Sequence, residues 1–186
     1  MMRKSWYILA AWLLPLSAFL QPAVFVTSTG EVLFKSEAPQ ELIRATSKEL
    51  KGAIDGNSNS FSFKIRIASF DGFNSAMQRT HFHENYLQSE KFPEASFKGK
   101  IIEDINWSQP GKYQLRAKGQ LLIHGVEQER IIKADVSILP DRSLRIECVF
   151  TVLLSEHQIP IPRIVKEKLA DEIKVSIKAT LVWRGA

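Results

Sequence analysis

Apolar and polar side chains alternate with period two along most of this chain. Between Lys112 and His124, Tyr113, Leu115, Ala117, Gly119, Leu121 and Ile123 share one side, opposed by Lys112, Gln114, Arg116, Lys118, Gln120, Leu122 and His124. Successive side chains of a strand point to opposite faces, so this spacing predicts a strand with one apolar and one wet face. The same alternation recurs in Ile132-Ala134-Val136-Ile138, in Leu144 to Leu154, in Ile173 to Trp183, and earlier in Phe61-Phe63-Ile65-Ile67. Shorter candidate strands are Val24–Thr27, Glu31–Ser36, Ala45–Ile54 and Ala95–Ile102. Turn-forming pairs separate the runs: Asp55-Gly56, Pro110-Gly111, His124-Gly125 and Pro140-Asp141. Strands joined by such short turns pair as antiparallel neighbours. The chain therefore reads as all-β, an antiparallel up-and-down β-barrel of about eight strands, because closure removes the sheet edges.

Two interruptions have helical character. Ser75 is placed as an N-cap with Gln78 three residues on, a capping box that opens a helix running to Tyr86 or Leu87. After Pro160-Ile161-Pro162, the spacing of Ile164, Val165 and Leu169 predicts a second helix from Arg163 to about Asp171. One or two short helices of this kind would cover the barrel ends.

The first 23 residues follow another pattern. A basic Met1-Met2-Arg3-Lys4 precedes an uncharged apolar run from Trp6 to Leu20. This is the layout of a signal peptide, with candidate cleavage after Ala18 or Ala23, leaving residues 24–186 as a single domain. Retention as an uncleaved anchor is the alternative, but Pro15, Gln21 and Pro22 interrupt a run that needs about 20 apolar residues to span. The expected location is periplasmic or secreted, with no stable membrane span after cleavage.

Charge and chemistry then narrow the function. The net charge is +5, with 25 basic and 20 acidic residues; Arg3 and Lys4 account for two of these charges, leaving +3 on residues 24–186. The remaining charges alternate in sign without a basic run, so nucleic acid is not the expected partner. One cysteine, Cys148, excludes an internal disulfide and falls on an apolar strand face. His83-Glu84 lacks the second histidine of a zinc motif. His81 and His83, two residues apart, would sit roughly 200° apart on a helix and could not share one ion. His81 together with His124 or His157 leaves a metal-binding or hydrolytic protein as one alternative. Otherwise no catalytic residue, metal site or cofactor is expected.

The inward face mixes large side chains (Phe61, Phe63, Phe97, Tyr113, Phe150, Trp183) with small ones (Gly52, Gly99, Ala117, Gly119, Ala134, Ala179). Either the small residues leave room for an apolar ligand, or they fit around the rings and mark bends. In the second case the barrel is filled and the protein is an interaction module.

Several spaced motifs resemble those of the YceI-like family. His83-Glu84-Asn85-Tyr86-Leu87 with Lys91-Phe92-Pro93-Glu94-Ala95-Ser96-Phe97-Lys98-Gly99 resembles its signature. Gly119 to Val126, Ile159-Pro160-Ile161-Pro162 and Phe34-Lys35-Ser36-Glu37-Ala38-Pro39 resemble further segments. The resemblance covers about residues 24–183. It implies a lipocalin-like barrel, exported, that carries or sequesters an isoprenoid or lipid-like small molecule without catalysis. The tail would lie against Phe61, Phe63, Phe97, Leu115, Ile123, Phe150 and Val152. A polar head would meet Gln78, His81, Asn85 and Tyr86, which alternatively plug the rim. Against the family pattern the early strands and loops read as short, implying a smaller cavity. A homodimer is compatible with this reading.

Overall fold

A computed structural model describes residues 24–184. Eight strands close into one antiparallel up-and-down barrel in sequence order: β1 (Val24–Glu37), β2 (Leu42–Asp55), β3 (Ser60–Arg66), β4 (Glu94–Ile101), β5 (Gly111–Ile123), β6 (Val126–Ile138), β7 (Leu144–Leu153) and β8 (Glu172–Arg184). β1 closes the barrel by pairing with β8. The signal-peptide reading falls on residues outside those described. No helix among the described residues is long and apolar enough to cross a membrane.

The alternation places the walls as expected. Leu115, Ile132, Val136, Ile146, Val152, Ile173 and Ala179 are buried toward the lumen, while outward Lys, Arg and Glu side chains meet across strands. Lys64 lies 3.0 Å from Glu94, and Lys118 lies 3.3 Å from Glu129. The β5–β6 hairpin turns on His124 and Gly125 alone, both with positive φ (52° and 75°), the I′ geometry that matches strand twist. A side chain at Gly125 would strike Phe92 at 2.4 Å.

Three expectations change. The early strands are not short: β1 and β2 are the longest, at 14 residues each. Val24–Thr27 and Glu31–Ser36 are one strand, bent where the register shifts around Gly30, so the polar stretch between them is a bulge and not a turn. The helix expected from Arg163 does not form. Arg163–Val165 is a single 3-10 turn, and Ile164 is 90% exposed. Val165 and Leu169 pack at the cavity mouth but Ile164 turns to solvent, and so short a helix is marginal without a continuous packed face.

The first helical segment does form. α1 (Ala76–His81) continues into a π-helical turn, Phe82–Tyr86. Ser75 caps it by accepting from the Gln78 N–H at 3.2 Å. The reciprocal bond differs from a capping box, because Gln78 Oε1 accepts from the Asn74 N–H at 3.1 Å and not from Ser75. The Gln78 amide also donates to Glu41 on the approach to β2, which fastens α1 across the barrel end.

The inner small residues divide into two groups. Gly99 and Gly119 face each other across β4 and β5, and a Cβ on either would meet partner backbone at 2.1 or 2.2 Å. A Cβ on Gly52 would meet the Phe63 ring at 2.2 Å. These glycines serve close packing. Ala117, Ala134 and Ala179 border open lumen instead.

Candidate functional site

The two ends of the barrel differ. At the end where β1 begins and β8 finishes, Phe25, Trp107, Ile138, Leu144 and Leu181 are buried and form a floor. The Phe25 and Trp107 rings lie 5.6 Å apart. Trp107 Nε1–H donates to Asn59 Oδ1 at 2.9 Å, which satisfies the indole in an apolar setting.

Above this floor lies a cavity of about 600 Å³, within the range of small-molecule sites. Its wall is almost wholly apolar, and all eight strands contribute, among them Val32, Leu50, Ile65, Ile101, Leu121 and Ile177. The lumen is thus not filled, which removes the filled-barrel reading. The resemblance-based expectation of a small cavity rested on short early strands, and those are long.

The structure places Phe61, Phe63, Phe97, Leu115, Ile123, Phe150 and Val152 on the cavity wall. Phe61 and Phe97 lie 4.9 Å apart and form one aromatic wall of the lumen. Gln78, His81 and Tyr86 line the mouth, where α1 and its π-helical turn overhang the barrel. Asn85 does not reach the cavity, a correction to its placement with them. The π-helical turn widens the helix at residues 82–86, so Phe82 and Tyr86 share the inward face and Asn85 does not. Burial raises the Tyr86 phenol above its ordinary value, so it stays a neutral donor.

Sequence reasoning missed the seat of this overhang. Phe34, Phe70, Phe73 and Phe82 form an aromatic cluster under α1 that also lines the cavity. Phe34 stacks on Phe82 at 5.2 Å, and Phe73 meets Phe82 at 5.0 Å. The phenylalanines at 70, 73 and 82 lie outside strands, where period two carries no signal; their density was the available clue. Glu41, Lys168 and Leu169 were missed for the same reason and complete the mouth.

Cys148 lines the lumen as a free thiol. Burial, helped by the Asp135 carboxylate, pushes its pKa up to about 11, which suits a small apolar wall residue and not a nucleophile.

The histidines do not converge. His81 is at the mouth and exposed, and the His83 ring packs against Phe82 at 5.1 Å. His124 and His157 meet beside the β5–β6 hairpin. His124 Nδ1–H donates to the His157 carbonyl at 3.1 Å, and His157 Nδ1–H donates to the Val126 carbonyl at 3.1 Å. A carbonyl only accepts, so both rings carry the proton on Nδ1. They act as a latch between the hairpin and the segment after β7. Among the described residues no group of three or more His, Cys, Asp or Glu side chains is placed to hold a metal ion.

The family model described as a YceI-like domain matches residues 25–181. Solved structures share the fold at low identity. A polyisoprenoid binding domain from Saccharophagus degradans, implicated in plant cell wall breakdown, superposes with a TM-score of 0.71 at 10% identity, covering 88% of this chain and 99% of that one. BcnA of Burkholderia cenocepacia gives 0.66 at 15% identity, covering 82% and 96%. A YCEI protein of Campylobacter jejuni gives 0.55 at 17% identity, covering 75% and 82%. No curated protein matches the sequence.

Proposed function

The chain belongs to the YceI-like family, and on that premise we propose that it is an exported binding protein, not an enzyme, that holds one apolar or amphipathic molecule in its barrel. The observation that carries this is the lumen: about 600 Å³, walled by aliphatic and aromatic side chains, floored at one end and polar only toward the mouth. Burying a long hydrocarbon there at about 25 cal/mol per Å² supplies enough free energy for micromolar affinity or better. A CH2 group occupies about the 30 Å³ that a water takes in the liquid, so the lumen accommodates about 20 such groups. Longer chains would protrude. The similarity to a polyisoprenoid binding domain suggests an isoprenoid or lipid-like tail. Gln78, His81 and Tyr86, with Glu41 and Lys168, stand where a polar head would rest. The basic start and apolar run of residues 1–20 support export to the periplasm or medium.

The test is to purify the protein from a bacterial host, extract it with solvent, and identify co-purifying lipid by mass spectrometry. The delipidated protein is then titrated with fluorescent acyl and isoprenyl probes of increasing length. Affinity is expected to rise with chain length until the lumen is full and then level off. Alkylation of Cys148 should slow when the probe is loaded, because that thiol lines the same wall. No co-purifying lipid together with no probe binding would overturn the reading.

A further inference from the structure

Three large apolar side chains face water around the mouth. Leu42 at the start of β2 is 49% exposed, Met77 in α1 is 67% exposed, and Ile164 in the 163–165 turn is 90% exposed. Single exposed apolar residues are ordinary on protein surfaces, and Ile102 and Val182 are of that kind. The rim residues differ because their segments are bonded into one surface. Asn74 Nδ2 donates to the Leu42 carbonyl at 2.9 Å, Gln78 donates to Glu41, and the Gln40 N–H donates to the Glu167 carbonyl at 2.8 Å. Met77 and Val165 also line the cavity, so apolar side chains are shared between the exposed rim and the lumen.

Charge on this rim is unevenly placed. Arg163, Lys166 and Lys168 flank Ile164 along the chain, with Glu167 the single acid among residues 163–170, while Glu37 and Glu41 sit on the β1–β2 side, where Glu41 is engaged by Gln78. The most exposed apolar side chain therefore stands among cations. Isolated, this composition is that of a segment that lies in a lipid–water interface, apolar group inward and basic groups at the head groups.

We propose that the mouth docks on a lipid bilayer bearing anionic head groups, with Ile164, Met77 and Leu42 entering the acyl boundary and Arg163 and Lys166 meeting phosphates. This rests on the apolar-ligand reading of the lumen and adds the surface from which the ligand is taken up or to which it is returned. A long hydrocarbon has almost no free concentration in water, and each methylene exposed in transit raises the barrier. A mouth seated on the bilayer lets the chain pass between two apolar phases.

The test is flotation of the purified protein with phosphatidylcholine vesicles, with and without phosphatidylglycerol. The protein is expected to float with the anionic vesicles, and less so as salt is raised. A variant carrying Leu42→Ser and Ile164→Ser should lose about tenfold or more in vesicle binding. It should keep the parent's affinity for a fluorescent acyl probe in vesicle-free solution, since neither side chain lines the lumen. A second variant, Arg163→Glu with Lys166→Glu, should lose binding to anionic vesicles. Failure of the parent protein to float, or equal flotation of the first variant, overturns the docking surface. Loss of probe binding by the parent in vesicle-free solution would instead overturn the lumen reading, so the two failures are distinguishable.

Discussion

At the residue scale, the small side chains of the inner face show what alternation can and cannot say. Gly99, Ala117, Gly119 and Ala134 all occupy inward positions, and their spacing alone does not separate packing from cavity. The separation depends on the opposite strand. Gly119 approaches the Lys98 carbonyl, whereas Ala134 looks into open lumen. Gly119→Ala is therefore expected to cost about 3 kcal/mol or more, since rigid backbone must move on both strands. Ala134→Leu is expected to leave stability near that of the parent and to weaken a long-chain probe about tenfold by occupying its space. Urea denaturation and probe titration of the two variants would check the contrast. A Gly119→Ala protein as stable as the parent would refute the close-approach account. The wall aromatics were legible because they sit in period-two strands; Asn85 was misplaced because the π-helical turn has no signature in residue spacing.

At the scale of elements, strand identity was written in the sequence more clearly than strand pairing. β6 and β7 are both long, yet they pair only from Asp135–Ile138 to Leu144–Glu147. Beyond Asp135 the two diverge, and side chains span the seam. Arg130 donates to the Thr151 carbonyl at 2.7 Å and to Glu156 at 2.8 Å, and the Gln128 amide donates to the Glu156 carbonyl at 2.8 Å. Alternation places Arg130 on the same face as Ile132 and Ala134, opposite Gly119, and cannot reveal that its partners lie across a break in the ladder. Charge-assisted bonds of this kind contribute more than neutral ones. Arg130→Ala is expected to cost about 1–2 kcal/mol, since the guanidinium is partly solvated. Faster amide exchange should be confined to β6 and β7 along the seam and the 154–158 segment, as measured by hydrogen exchange with mass spectrometry. Uniformly faster exchange over the whole barrel would mean that the seam is not a separate opening unit.

At the scale of the whole molecule, the latch of His124 and His157 ties the rim segment between β7 and β8 back to the barrel, so its protonation state bears on global stability. His157 is fully buried, its Nδ1–H is committed to the Val126 carbonyl, and its Nε2 has no hydrogen-bond partner among the described residues. Burial lowers its pKa; the carbonyls it bonds and Glu156 oppose this, while nearby Arg130 adds to it. His83 is lowered in the same way by burial and by Arg79. With the folded pKa values depressed, the unfolded chain takes up protons first as pH falls below about 6.5. The stability these groups contribute is complete above that pH and is lost progressively toward their depressed values. The lowered carboxylates of Asp55, Glu103 and Asp141 titrate lower still, leaving the window between about pH 6.5 and 5 to the histidines. The urea midpoint is expected to fall between about pH 7.5 and 5.5. It should fall less in His157→Asn, whose amide can still donate to Val126 but does not titrate. A midpoint independent of pH over that range would show that neither imidazole resists protonation, and the latch would then carry no pH-dependent stability.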